Sequence, residues 1–248
     1  MPDLIFPKAI LFDMDDTILN STGKSAECWQ TLAQRFAPAC GGVHPEALCQ
    51  AMVESSRWFW SDPDRHRTGR LDMMAARTKV IADALQQLGI ADETLPREMA
   101  KVLRALRDDA MSFFPEAVEV LTALQAMPIA LALVTNGEPG EQRAKIERFE
   151  LASYFETIVV EGEFGIGKPD LQVYRHTLDL LGVVPREAWM VGDNLEWDVL
   201  GPQRVGMRGI WLDARGSGLP PGMSLHPDRI IRSLTELLED VKRARPSH

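Results

Sequence analysis

The chain has 248 residues, of which 45% are hydrophobic and 25% charged, and its formal net charge is −9 from 27 Lys+Arg against 36 Asp+Glu. This balance excludes a disordered, collagen-like or rod-shaped chain, and the length suits one large or two smaller packed domains. The acidic excess argues against broad affinity for nucleic acid or an anionic membrane, so an anionic ligand would need a metal or a few placed Lys/Arg. The three cysteines, Cys28, Cys40 and Cys49, form no CxxC pair and no zinc-type set with histidine, and they read as reduced and structural. The start, MPDLIFPKAILFDMDD, has no basic stretch followed by a cleavable apolar run, and the longest apolar segment, at 128–134, is too short to span a bilayer. The expectation is a cytoplasmic chain.

Three textures follow one another. Residues 8–13 are a compact apolar run ending in an acid, which predicts a buried strand. Residues 19–111 read as helix after helix. Trp29, Leu32, Ala33 and Phe36 recur at helical spacing over 25–36. Residues 72–88 are rich in good helix formers and stop at Gly89. Met99, Val102, Leu103 and Leu106 stripe a helix over 96–111. From Phe114 the pattern alternates. Helices are predicted at 115–127, 141–151, 170–181, near Pro202, and at 233–243. Strands are predicted at 130–135, 157–161, 189–193 and 209–213. Residues 216–227 form a Gly/Pro-rich loop. The expectation is an α/β fold: a Rossmann-like three-layer core with a parallel sheet, interrupted after its first strand by a mostly helical insert. The boundaries read as 1–18 with 113–248 for the core and 19–112 for the insert.

In open parallel sheets the binding crevice lies beyond the carboxyl ends of the strands. The first strand ends in Asp13-Met-Asp15-Asp-Thr17, the second in Thr135-Asn136-Gly137, and the strand at 189 in Gly192-Asp193-Asn194 with Asp198 beyond. Gly165-Ile-Gly-Lys168-Pro-Asp170 opens a helix between them. Singly, each fragment also fits a turn, a loop or a helix cap; their order and their shared placement at strand ends point to chemistry. Clustered carboxylates repel, and a hard divalent cation such as magnesium relieves this while gripping a phosphate oxygen. A carboxylate can serve as nucleophile. A second carboxyl two residues on can move a proton, a task that calls for a raised pKa. Lysine, threonine and backbone N–H groups hold phosphoryl oxygens.

These four motifs resemble those of the haloacid dehalogenase-like hydrolase superfamily, and the insert is similar to its first type of helical cap. The resemblance covers most of the chain. It implies Asp13 as nucleophile and magnesium ligand, and Asp15 as general acid/base with its backbone carbonyl on the metal. Thr17 would support the turn, Thr135 and Asn136 bind the phosphoryl group, and Lys168 neutralise charge between Asp13 and phosphate. Asp193 would be the third protein ligand of the metal, with Asn194 and Asp198 acting mainly through metal-bound waters. Asp15 fits the phosphatase branch, because an alkoxide leaving group needs a proton and a halide does not. Lys24, Lys79 and Lys101 of the insert have no context that marks a phosphonatase lysine. The implied activity is magnesium-dependent hydrolysis of a small phosphorylated metabolite through an aspartyl-phosphate. A sugar phosphomutase and a catalytically silent binding or regulatory member stay open as alternatives. The family's Gly-Ala after motif four is Gly201-Pro202 here, which predicts a slightly shifted helix start.

Residues 57–70 pack aromatics and four arginines together. They read as an anion- or sugar-binding wall, with Arg70 as substrate candidate, or as packing between cap helices with arginines paired to Asp62, Asp64 and Asp72. Packing is favoured for Trp58, Phe59 and Trp60, and His66 reads as surface. Trp29, Phe36, Met73 and Met74 read as insert core, and Trp189 and Trp211 as packing. Trp197 has no assignment. Glu161 or Glu163 could steady Lys168 or be solvated.

Overall fold

The structure, a computed structural model, describes residues 5–223 and 226–245. The apolar run beginning at Ala9 forms β1 (Ala9–Phe12). Asp16 then takes left-handed backbone (φ 58), which turns the chain sharply, and Met14 O collects the N–H groups of Ile18 and Leu19 at 3.0 and 2.9 Å. A short β2 (Leu19–Asn20) follows. The insert is α1 (Ser25–Phe36), α2 (Pro45–Trp60), α3 (Pro63–Gly69), α4 (Met73–Gln87) and α5 (Leu95–Ala110). The chain continues through β3 (Ser112–Phe113), which pairs with β2, then α6 (Ala117–Gln125) and β4 (Ala130–Thr135). Next come α7 (Pro139–Arg148), β5 (Thr157–Val160), α8 (Glu161–Phe164), α9 (Leu171–Leu181) and β6 (Ala188–Gly192). A wide π-helical stretch over Leu195–Leu200 leads into α10 (Gly201–Val205), and β7 (Arg208–Leu212), β8 (Arg229–Ile231) and α11 (Leu234–Ala244) complete the chain.

Two compact units result: residues 1–20 with 113–248, and residues 21–112. The first holds a six-stranded sheet of order β5-β4-β1-β6-β7-β8, with every pairing parallel. The chain runs outward from β1 through β4 to β5, then returns to the other side of β1 as β6. That reversal puts the topological switch point at the carboxyl end of β1. Alternation gives each face its own apolar set. Ala9, Leu11, Ala132, Val134 and Met190 pack with Val173, Tyr174 and Leu178 of α9. The opposite face, bearing Ile10, Phe12, Leu131 and Leu133, is the side of α6 and α11, which also pack on each other. Among the described residues, no helix is long and apolar enough to cross a membrane.

The second unit has its own core. Helices α1, α2, α4 and α5 pack in a closed ring, α1 on α2, α2 on α4, α4 on α5 and α5 on α1. Their shared interior includes Trp29, Leu32, Leu48, Met52, Val80, Ile81, Met99 and Leu103. Local caps define the starts: the Asp62 carboxylate accepts from Arg65 N at 2.8 Å and Asp72 from Ala75 N at 2.9 Å. The Arg-rich stretch is largely consumed locally. Arg65 lies 3.8 Å over the Trp58 ring and donates to Trp58 O at 2.6 Å, and Arg67 pairs with Asp64 at 3.2 Å. Phe59 is buried and close to Gly69, where a Cβ would come within 2.7 Å of its ring. The packing reading fails for Trp58, which is 55% exposed, because Arg65 covers it in place of the core. His66 is half-buried against the Trp60 ring, not on open surface. Met74 joins the insert core and Met73 stays half-exposed.

Leu103 is fully enclosed in this ring. Leu103→Ala should cost about 2–5 kcal/mol, seen as a lower urea midpoint, because the cavity adds to the lost transfer energy.

Candidate active site

The parallel register brings the strand-end motifs together. Phe12 is level with both Leu133 and Val191, so Asp13 follows β1 where Thr135 and Gly192 end β4 and β6. Asp13 N donates to Val191 O at 2.9 Å, extending the ladder one residue. Across this rim lies Lys168, fully buried, with its ammonium 2.7 Å from Asp13 Oδ1 and 2.7 Å from Asp198 Oδ1. Thr17 Oγ1 donates to Asp13 Oδ2 at 3.2 Å. Burial works against the lysine's charge, but the two carboxylates outweigh it and hold the group firmly as an ammonium.

The backbone of Lys168 is held as well. Asn136 accepts from Lys168 N at 2.8 Å and donates to Lys168 O at 2.7 Å. Both ends of the Asn136 amide are thus engaged with the lysine loop, where the sequence reading gave this residue to the phosphoryl group. The Glu161 carboxylate accepts from Gly137 N at 3.0 Å and lies against Gly167, the residue before Lys168. Glu163 instead forms an ion pair with Arg143, at 2.6 Å.

The π-helical stretch is built around Asp198. Its Oδ2 accepts from Asn194 N at 3.0 Å, while the Asn194 side chain caps Glu196 N and Trp197 N, each at 3.0 Å. A Cβ on Gly192 would lie 2.2 Å from Asp198 Cγ, so only glycine lets β6 end this close to the carboxylate. Trp211 is not packing alone: its indole N–H donates to Asp193 O at 2.8 Å. Tyr174, buried in the sheet core, donates to Trp197 O and lies against Gly201.

Carboxylate oxygens of Asp13, Asp193 and Asp198 lie within 4.8 Å of one another. Burial pushes the Asp13 carboxyl up, Lys168 pulls it down, and Asp198 adds repulsion, leaving it at about 7. Desolvation of its carboxyl and the like charges of Asp13 and Asp198 push Asp193 up to about 8, though the residue as a whole reaches solvent. One lysine does not balance three acids. The donor set is all oxygen and charge-deficient, which suits a hard divalent cation.

Asp15 departs from its expected state. Burial pushes its carboxyl up, but Lys145, at 2.8 Å from both oxygens, and Gln142, at 3.1 Å from Oδ2, hold it below the usual carboxylate range. The raised pKa expected from the sequence is therefore corrected: in this state Asp15 is a paired carboxylate. Lys145 and Gln142 were missed by sequence reasoning. Their only local signal is a three-residue spacing on a helix opening just after Thr135-Asn136-Gly137. Arg70 lies in the other unit, where its N–H closes the end of α3 on His66 O at 3.1 Å.

Gly192→Ala should force Asp198 aside and loosen the Lys168 pairings. The expected cost is about 1–3 kcal/mol of overpacking, read as a lower urea midpoint.

A family profile for the haloacid dehalogenase-like hydrolases matches residues 7–206. The chain is 32% identical to a phosphoserine phosphatase of Thermus thermophilus over 93% of this chain and 97% of that protein. It is 32% identical to a glyceraldehyde 3-phosphate phosphatase of Pyrococcus furiosus over 95% and 93%. Its backbone is similar to that of the magnesium-bound HAD-hydrolase YfnB of Bacillus subtilis, with a TM-score of 0.72 at 20% identity over 95% and 98% of the two chains. With its four motifs gathered at one switch point and matching relatives over nearly its full length, the chain belongs to the haloacid dehalogenase-like hydrolase family.

Proposed function

We propose that this protein hydrolyses small phosphate monoesters through an aspartyl-phosphate on Asp13, with magnesium as cofactor. The chain is a hydrolase acting on phosphoric monoesters, and phosphatases are its relatives at 32% identity. The observation that carries the reading is the buried ammonium of Lys168 set 2.7 Å from Asp13 beside two further carboxylates. An ammonium against a strand-end aspartate orients that carboxylate and meets the charge of an incoming phosphoryl group.

Asp13 and Asp193, with the Asp15 backbone carbonyl, are the groups that would hold magnesium, and Asp198, engaged by Lys168 and Asn194 N, would act beside them. Bound there, the cation would supply charge neutralisation for the acids and for the phosphoryl oxygens. A carboxylate oxygen of Asp13 attacks phosphorus, and the bond from phosphorus to the leaving oxygen breaks. That oxygen takes a proton from Asp15 in its acid form. Water then attacks the same phosphorus while Asp15, now a carboxylate, accepts a proton from it; Asp13 and inorganic phosphate are released. The Lys145 pairing favours the carboxylate form of Asp15 that the second step needs, and the first step requires that pairing to loosen. Thr135 and the N–H groups beside it are suited to hold phosphoryl oxygens. The helical insert would act as a cap that selects the substrate and excludes water, with Arg70 a candidate contact.

The presence of Asp13, Asp15, Lys168 and Asp193 argues against a silent binding protein. A phosphomutase would share this core and would need a bisphosphate to prime it. Carboxylate at position 15 favours an alkoxide leaving group over a halide.

Phosphate release from a panel of small monoesters should depend on magnesium, stop with EDTA, and fall to background in Asp13→Asn; release that survives either treatment overturns the mechanism. Asp15→Ala should lower turnover of an alkyl phosphate by about 100-fold or more, the range of general acid–base catalysis, and of p-nitrophenyl phosphate much less. Equal losses would remove Asp15 as proton donor.

A further inference from the structure

Helix α7 carries a buried polar residue that the chemistry above does not use. Gln142 is 3% exposed, and its Nε2 lies 2.6 Å from Thr135 Oγ1 and 3.1 Å from Asp15 Oδ2. The amide nitrogen has two hydrogens, one for each partner. Lys145 lies 2.8 Å from both oxygens of Asp15, and Gln142 meets the same carboxyl through its nitrogen, so the nitrogen, not the amide oxygen, faces this pair. Thr135 Oγ1 therefore accepts from Gln142. A hydroxyl has one hydrogen of its own, and with the amide donating to it that hydrogen is directed elsewhere. Thr135, at the end of β4, is then set as a donor toward the rim where Asp13 and Lys168 meet. Without Gln142 that side of the hydroxyl loses its donor, and its hydrogen can turn away from the rim.

We propose that Gln142 is a positioning residue: its amide bridges Thr135 and Asp15, fixing the Thr135 hydroxyl as a phosphoryl donor. The inference rests on the hydrolytic reading above, and deepens it by naming what orients the phosphoryl grip. The shape of Gln142 is secondary to its two hydrogens. Glutamate, nearly identical in shape, would reverse the pattern, because its carboxylate would accept the Thr135 hydrogen and repel Asp15.

The test compares Gln142→Leu and Gln142→Glu with the parent enzyme, using p-nitrophenyl phosphate turnover and inorganic phosphate binding by calorimetry. Loss of one donor to a developing oxyanion predicts kcat down by about 100-fold in Gln142→Leu, and Gln142→Glu should be no better. Phosphate affinity should fall about tenfold in both, as for a lost hydrogen bond to a charged group. In a Thr135→Val background Gln142→Leu should have little further effect on kcat, whereas general damage to the fold would add to it. Parental kcat in Gln142→Glu, unchanged phosphate affinity in both variants, or full additivity with Thr135→Val would each overturn the proposal. Activity retained by Asp13→Asn would instead sink the hydrolytic mechanism, and phosphate binding would still decide the role of Gln142.

Discussion

A lysine ammonium taken wholly out of water is tolerable only between carboxylates, and Lys168 lies between Asp13 and Asp198. Much of the local architecture serves that pairing. Asn136 clasps the lysine backbone from both sides, Asn194 N binds the remaining oxygen of Asp198, and Gly192 leaves room for that carboxylate at the end of β6. Removing one partner would strand the others uncompensated in the interior. The arrangement is costly to build and rigid once built, and it holds the Asp13 carboxylate at one orientation.

The sheet delivers these groups because it is parallel throughout and reverses direction at β1. Strands buried on both faces can carry polar residues only where they end. The ends of β1, β4 and β6 supply Asp13, Thr135 and Asp193, and the lysine comes from the loop before α9. Charge is then left over. Three carboxylates and one lysine give the rim a net appetite for a cation, seen in the upward pull on Asp13 and Asp193.

Much of this was legible in the sequence because buried strands announce themselves. An apolar run that stops at an acid, as at Phe12-Asp13, shows both the strand and the place where it ends. Helix α1 was readable from Trp29, Leu32 and Phe36, since one apolar stripe faces one core. What sequence could not show are partnerships that depend on the closed fold. Gln142 and Lys145 look like ordinary polar helix residues, and their partner Asp15 is 127 and 130 positions away. For the same reason the charge state of Asp15 was misjudged. Trp211 read as packing because nothing local shows that its indole N–H meets Asp193 O.

The distances along the chain have a consequence for how such a protein is made. In synthesis Lys168 follows Asp13 by 155 residues, and Asp198 comes another 30 after that. A nascent or truncated polypeptide therefore displays the aspartate without the ammonium that steadies it. The trio of Asp13, Lys168 and Asp198 is complete only once the π-helical stretch after β6 has been made.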